Sequence, residues 1–172
     1  MTESFWVKIN EPTLCQGDYL TDCHVPIFLD PTVTEQPKEV PIDIFDLIVL
    51  TQSCDLEQNK VRLVAMCPIF PIEAFEKINP EFRKKGRWNE VRKGRVEGLH
   101  MLGAHNNPTN NRGAFVVDFR EIYSLPFEYL VKHATEKGLR WRLRSPFLEH
   151  FSQAFARFFM RVGLPSTIPE FQ

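Results

Sequence analysis

The chain has 172 residues, of which 43% are hydrophobic and 25% are charged, and its formal net charge is −1. These values are typical of one globular domain with one substantial core, so we expect a single domain over residues 1–172. No apolar run approaches the roughly 20 residues that a membrane helix requires, and the amino terminus has no basic region followed by an apolar one. These features predict a cytoplasmic protein with no membrane partner.

The charges are unevenly distributed along the chain. Residues 1–57 hold eleven acidic and two basic residues, which leaves eleven acidic and nineteen basic residues for 58–172. Such asymmetry occurs where a protein binds nucleic acid, where an acidic face mimics a partner, or where two halves of a fold meet. The distribution alone leaves the three interpretations open.

Four cysteines are scattered without the paired spacing of a metal knuckle or a redox motif. They are Cys15, Cys23, Cys54 and Cys67. Cys23 and His24 are adjacent, and neighbouring residues of a strand point to opposite faces, so the two could not readily bind one zinc ion. We therefore predict reduced thiols, no metal site and no cofactor.

Strands are favoured in the first 120 residues, because prolines interrupt helices there and short apolar runs alternate with turn residues. The predicted strands are 5–9, 19–28, 45–51, 61–67, 98–104 and 113–119. The runs 45–51 (FDLIVLT) and 61–67 (VRLVAMC) are apolar almost throughout, which is typical of strands buried on both faces. We expect a barrel core over about 1–70 and 98–119.

The segment 71–97 differs in composition from the predicted strands on either side of it, because it is rich in basic residues. Residues 83–95 contain seven basic residues and one acidic residue, Glu90. We predict that 71–97 is an inserted basic loop or a set of short helices, and that it is mobile.

Two helices are predicted at the carboxyl end, over 124–137 and 146–162. The second has Pro146 in its first turn, and Phe147, Phe151, Phe155, Phe158 and Val162 recur at helical spacing. Such a stripe must be buried, so we expect both helices to pack on the sheet. The predicted class is α+β: a small, curved antiparallel barrel with two carboxyl-terminal helices.

A resemblance to the PemK/MazF family of toxin ribonucleases appears in the first 70 residues. It rests on the Gly17-Asp18 turn, the strand LIVLT over 47–51 and the strand end LVAMCPI over 63–69. The resemblance implies an SH3-like barrel and a toxin–antitoxin or phage-defence setting. It also implies that the RNA-cleaving pair is absent, because Ile44, Phe45 and Asp46 stand where the family has its arginine, and Phe70 stands where it has its threonine.

The dipeptide Cys54-Asp55 is a candidate catalytic site, because it follows a buried strand and lies where the sheet ends. A thiolate at Cys54 could act as a nucleophile if His24, His100 or His105 lay within hydrogen-bonding distance. The alternative is a small cysteine beside an aspartate that caps a turn.

Two basic segments are candidates for binding nucleic acid, because phosphates attract cations and aromatic rings stack on unpaired bases. The candidate residues are Arg83, Lys84, Lys85, Arg87, Trp88, Arg92, Lys93, Arg95, Arg140, Arg142 and Arg144. The alternatives are a solvated loop whose tryptophan packs inward and, around Trp141, an exposed strand with one apolar and one basic face.

Three functions follow from these observations. The preferred one is a non-catalytic or accessory binding module with a PemK/MazF-like barrel and an RNA or protein partner. The others are an endoribonuclease of that family with a rearranged site, and a cysteine-dependent enzyme using Cys54. The sequence does not indicate the oligomeric state.

Overall fold

The computed structural model describes residues 4–27, 39–105 and 111–160. These residues form one eight-stranded antiparallel sheet and five α-helices. The strands are β1 (Trp6–Ile9), β2 (Asp18–Pro26), β3 (Ile42–Val49), β4 (Leu63–Pro71), β5 (Leu99–Leu102), β6 (Phe115–Asp118), β7 (Tyr123–Pro126) and β8 (Arg140–Leu143). The helices are α1 (Ser53–Glu57), α2 (Ile72–Ile78), α3 (Arg87–Arg92), α4 (Phe127–Lys137) and α5 (Phe147–Phe159). Short 3-10 helices lie at Pro80–Arg83 and Asn111–Gly113.

The strand order is β1-β8-β2-β3-β4-β6-β5, and β7 also pairs with β4. One edge of β4 pairs with β3, and its other edge pairs with β7 over residues 63–66 and with β6 over 69–71. The two predicted apolar strands are therefore present and pair with each other, with Ile48 opposite Cys67. The segments β7 and β8 belong to the sheet as well, although the expected barrel core ended at residue 119.

At its centre the sheet is buried on both faces, which explains the apolar runs at 47–50 and 64–67. Along β3 and the following residue, Leu47 and Val49 pack on the first face, and Ile48 and Leu50 pack on the second. The first-face core consists of Leu14, Leu20, Cys23, Val25, Leu47, Val49, Leu56, Val64, Met66, Leu125, Leu130 and Ala134. The second-face core consists of Trp6, Tyr19, Ile48, Leu50, Cys67, Ile69, Leu102, Val117, Phe119, Leu143 and Phe151.

The two carboxyl-terminal helices pack on opposite faces. Helix α4 contributes Leu130 and Ala134 to the first face, and α5 contributes Phe151 to the second. The start predicted for the first helix was wrong, because 123–126 are paired with β4 as β7 and the helix begins at Phe127. Of the predicted phenylalanine stripe, Phe151 is fully buried, and Val162 lies outside the described residues.

The basic insertion is helical and has a core of its own. Helices α2 and α3 and the 3-10 helix at Pro80–Arg83 pack against β5 and β6. Phe75, Phe82 and Val91 are buried there with Leu99 and Val116. The structure thus shows short packed helices where we considered either a loop or short helices.

The predicted closed barrel is not confirmed, because β1 and β5 form the two edges of the sheet and are not paired with each other. The sheet is nevertheless strongly curved. Trp6 on β1 donates a hydrogen bond from Nε1 to the carbonyl oxygen of Gly103, just after β5, at 2.7 Å. The ring of Phe5 also lies against Gly103, where an added Cβ would stand 2.6 Å from it.

The Gly17-Asp18 turn is shaped by the approach of α5. Gly17 has a φ of +81°, and a Cβ there would lie 2.9 Å from Leu148 and 3.0 Å from Leu143. Only glycine satisfies both the backbone angle and this close contact. The turn places Asp18 on the first face and Tyr19 on the second.

Among the described residues, no helix has the length and apolar composition needed to cross a membrane.

Candidate functional site

Four aromatic rings from four different strands converge on the second face of the sheet. They are Trp6 of β1, Tyr19 of β2, Phe115 of β6 and Trp141 of β8, and we call them the aromatic box. The convergence follows from the register, because Tyr19 is paired directly with Trp141. Paired residues of an antiparallel sheet project to the same face, so the curved sheet brings these rings together.

The imidazole of His105 lies inside the aromatic box. It stacks on Trp141 with ring centroids 4.6 Å apart and an interplanar angle of 12°, and it lies 4.6 Å from Phe115. Burial lowers the pKa of His105 to about 4, so the ring is neutral at pH 7. Its Nε2 atom is buried and has no hydrogen-bond partner among the described residues.

A cavity of about 450 Å³ opens beside the box, and we call it the box cavity. This volume is within the range of small-molecule sites. Its lining residues are Tyr19, Leu20, Thr21, Pro71, His105, Phe115, Lys137, Leu139, Arg140 and Trp141. Rings on several sides of one cavity favour a flat ligand that can stack.

The polar groups at the mouth of the box cavity are mostly paired within the protein. Lys137 donates from Nζ to Asp22 at 2.5 Å, and this contact raises the pKa of Lys137. Tyr19 donates from its hydroxyl to Asp46 at 2.6 Å. Burial raises the pKa of Tyr19 far above its usual value, and the contact with Asp46 adds to this, so its hydroxyl stays protonated.

The basic insertion carries an exposed cationic surface. We call Arg83, Lys84, Lys85, Arg87, Arg92, Lys93 and Arg95 the basic surface. Lys93 and Arg95 pair with Glu90 at 3.9 and 3.2 Å, and Arg87 pairs with Glu81 at 3.8 Å. The others of the set form no ion pair within the described residues. Exposed pairs of this kind are weak, so these cations remain available to phosphates.

Glu76 holds the basic insertion against the sheet. It accepts a hydrogen bond from Trp88 Nε1 at 2.8 Å and another from Arg112 at 3.0 Å. These donors hold the pKa of Glu76 below its usual value. Since Arg112 lies just before β6, the same carboxylate connects α3 to the strand that carries Phe115.

The box cavity and a recess beside the basic insertion are lined by adjacent residues of the chain. Pro71 lines the box cavity, and the next residue, Ile72, lines a smaller recess of about 140 Å³ together with Arg92 and Arg112. Pro71 is paired with Phe115, which is also part of the aromatic box. Pro71 and Ile72 therefore connect the wall of the box cavity to a recess that Arg92 also lines.

Trp88 is not a free stacking platform. Its ring lies 5.9 Å from Phe75 and 5.2 Å from Phe82, inside the core of the insertion. Arg87 lies over the ring of Phe82 at 5.0 Å. The tryptophan therefore packs inward, as the alternative to nucleic-acid binding supposed, but the segment is helical and not a loop.

The arginines of β8 are structural rather than available for phosphates. Strand β8 lies between β1 and β2, so it is not an exposed strand. Arg140 donates to Asp18 at 3.0 Å, and their side chains are 2% and 0% exposed. Arg142 also pairs with Asp18. Arg144, beyond the strand, is exposed.

The segment before β2 completes this buried cluster. Arg140 donates to the carbonyl oxygens of Glu11 and Thr13, both at 2.6 Å, and Arg142 donates to that of Thr13 at 2.9 Å. Burial opposes the charge of Arg142, but its hydrogen bonds to Asp18 raise its pKa above its usual value.

Cys54 and Asp55 lie in the first turn of α1, and Cys54 is exposed. The thiol contacts Gln52 at 3.7 Å and Asp55 at 3.9 Å. The histidines considered as its base lie elsewhere: His105 is in the aromatic box, and His100 stacks on Phe119. No histidine contacts Cys54 in the described part of the chain, so the structure does not assemble the catalytic pair that we considered.

A second groove, of about 780 Å³, lies between the start of β4 with the segment before it and the start of α4, and it is larger than the box cavity. Its walls are Asn59, Val61, Arg62, Leu63, Pro126, Phe127 and Glu128. Only one aromatic ring, that of Phe127, is among these lining residues, so this groove offers less stacking surface than the box cavity. Within residues 4–27, 39–105 and 111–160, no group of three or more potential ligands could hold a metal ion.

Acidification should destabilise the protein through His100. Burial, with a contribution from His150, lowers the pKa of His100 to about 4, against about 6.5 in an unfolded chain. The unfolded state therefore binds the proton first as the pH falls below 6.5, and by pH 5 we expect a loss of about 2 kcal/mol of unfolding free energy from this residue.

Urea unfolding at pH 7 and pH 5 measures this loss. The variant His100→Gln has no titrating ring, so it should lose correspondingly less stability between the two pH values. Equal losses in the wild type and the variant would contradict the assignment.

Sequence reasoning found Trp141 only as the centre of a basic segment, and it missed Trp6, Tyr19 and Phe115 as a set. The available signal was the strand alternation, which places aromatic residues at inward positions of three predicted strands.

Comparison of the chain with protein-family models, with curated proteins and with solved structures found no match.

Proposed function

We propose that this protein is a non-catalytic binding module with a PemK/MazF-like barrel, and that its ligand is single-stranded RNA. A base stacks in the box cavity, and the phosphates that follow lie along the basic surface. The observation that carries the proposal is the aromatic box with its cavity, whose lining residue Pro71 is followed in the chain by Ile72, which lines a recess together with Arg92.

The chemistry of both parts suits a single strand. Stacking on an aromatic side chain is worth about 1–3 kcal/mol per base and requires a base that is not paired. Cations along the backbone add affinity by releasing counterions, independently of sequence. Neither term needs a catalytic group, which agrees with a binding module.

The curvature of the sheet supports the barrel part of the proposal. The hydrogen bond from Trp6 to Gly103 brings the edge strand β1 near the end of the other edge strand, β5, although the two strands are not paired. The positions that the family uses for cleavage are engaged otherwise: Asp46 accepts from Tyr19, and Phe70 packs in the core of the insertion. A cytoplasmic toxin–antitoxin or phage-defence setting belongs to the same proposal.

The basic surface provides a direct test. The double variant Arg92→Gln/Lys93→Gln removes two exposed cations, so we expect roughly tenfold weaker binding of a labelled ten-nucleotide RNA at 0.1 M salt. The slope of log K against log salt should fall by about 1.4, or about 0.7 for each phosphate contact. Fluorescence anisotropy over a salt series measures both quantities, and the same oligonucleotide in DNA form separates RNA from DNA binding.

Lys132→Gln is the matched control, because Lys132 is exposed on α4, on the opposite face of the sheet. It should leave affinity and slope unchanged. Equal effects of the two variants, or no RNA binding by the wild type together with capture of an acidic protein, would overturn the RNA proposal. Cleavage of the oligonucleotide would overturn its non-catalytic part.

A further inference from the structure

The aromatic box already holds one heteroaromatic ring, that of His105. Four rings surround it: the centroids of Trp141 and Phe115 lie 4.6 Å away, that of Trp6 4.8 Å and that of Tyr19 5.4 Å. Trp141 lies parallel to the imidazole, and Trp6 meets it edge to face at 80°. Stacked and edge-to-face arrangements are the favourable ones for aromatic pairs, so the box is shaped for a flat ring.

The box and its occupant differ in how their polar atoms are satisfied. Trp6 donates to Gly103 and Tyr19 donates to Asp46, so these two walls are fixed by hydrogen bonds. Within the described part of the chain, the occupant has no such bond at Nε2, although this atom is buried. A buried polar atom without a partner is unfavourable, so His105 is held by stacking and is not anchored at that nitrogen.

We propose that the aromatic box is the subsite for one nucleobase, and that His105 is an internal occupant which the base displaces. The imidazole is the five-membered half of a purine in shape and chemistry, and the box cavity gives a ligand access to the same rings. The proposal rests on the proposed function for the identity of the ligand as a base.

Competition between the His105 ring and a base for the aromatic box lowers the apparent affinity for the base. When a binding-competent state is only partly populated, the apparent affinity falls by that fraction. With His105 in the box, the protein therefore binds a base more weakly than the rings alone would. Removal of the imidazole should strengthen binding, although it removes a ring that lines the cavity.

The test uses the full chain and two small probes that carry no phosphate, adenosine and imidazole. The variant His105→Ala should bind adenosine at least tenfold more tightly than the wild type, as measured by tryptophan fluorescence. Imidazole at millimolar concentration should raise the melting temperature of this variant and not that of the wild type. His24→Ala, which removes an exposed histidine on β2, should behave as the wild type.

A second measurement does not depend on the variant. The ring protons of His105 in the wild type should be shifted upfield by the surrounding rings, and saturating adenosine should return them to the values of a free histidine. Unchanged ring resonances, or a folded His105→Ala protein that binds adenosine no better than the wild type, would overturn the proposal. If RNA binding fails while adenosine fills the vacated box, the proposed function fails and the subsite stands.

Discussion

Replacing Asp18 with alanine should lower the free energy of unfolding by about 3–5 kcal/mol, the largest effect on stability that we expect. Asp18 is the buried counter-ion of both Arg140 and Arg142, and its own side chain is 0% exposed. Its carboxylate also accepts a hydrogen bond from the backbone amide of Cys15 at 3.1 Å. The variant leaves the buried Arg140 without a carboxylate partner, whereas Arg142 keeps its ion pair with Glu11.

Such a loss is a large fraction of the 5–15 kcal/mol that typically stabilises a domain, so the variant should be close to unfolding at 37 °C. Urea denaturation at pH 7 measures it. Glu136→Gln is the control, because it breaks only the exposed contact of Glu136 with Lys132, and its midpoint should stay near that of the wild type. If Asp18→Ala also left the urea midpoint near that of the wild type, the buried cluster of Asp18, Arg140 and Arg142 would not stabilise the fold as we describe.

Replacing Trp141 with alanine should weaken RNA binding roughly 10- to 100-fold, the largest effect on function that we expect, because stacking contributes about 1–3 kcal/mol per base. Trp141 presents the ring that lies parallel to the occupant of the aromatic box. Anisotropy titration with the ten-nucleotide RNA measures the change. The slope against salt should stay the same, because no phosphate contact is removed.

Trp141 also packs in the core, so its loss will reduce stability, and a matched control is needed. Phe45→Ala removes a partly buried ring that stacks on Tyr123 on the first face, 5.2 Å away. This control should be destabilised without a loss of affinity. If the two variants weakened RNA binding to the same extent, the effect would come from stability and not from stacking.

The strands of the fold were readable because their signals are local. The continuous apolar runs over 45–51 and 61–67 predicted strands buried on both faces, and the structure buries successive residues of β3 in opposite clusters. The strands predicted over 98–104 and 113–119 are likewise present as β5 and β6, which pair with each other. The last helix followed from its phenylalanine spacing.

The sequence-based predictions failed where contacts between distant parts of the chain determine the local structure. Residues 123–126 have a helix-start pattern, but the open edge of β4 provides hydrogen-bonding partners for another strand. The alternation of arginines with apolar residues in β8 correctly predicted two distinct faces. It did not show that the segment containing Glu11 and Thr13 covers the arginine face, because that contact joins residues about 130 positions apart.

The candidate site was predicted only in part, for the same reason. The basic surface is a local cluster of charges, so its residues were found directly. The aromatic box needs the register of β2 with β8 and the curvature that brings β1 to β5, and neither is encoded in a short window of sequence. His105 entered our reasoning as a possible base for Cys54, whereas the structure surrounds it with rings.

The central claim is that the rings bind a base while the basic surface binds the backbone. A double-mutant cycle tests it, with the wild type and Trp141→Ala each titrated with a ten-nucleotide RNA and with the same strand lacking its bases. We predict that Trp141→Ala weakens binding of the intact strand about 10-fold or more and leaves binding of the baseless strand unchanged. An equal loss on both strands, or equal affinity of the wild type for both, would contradict the account.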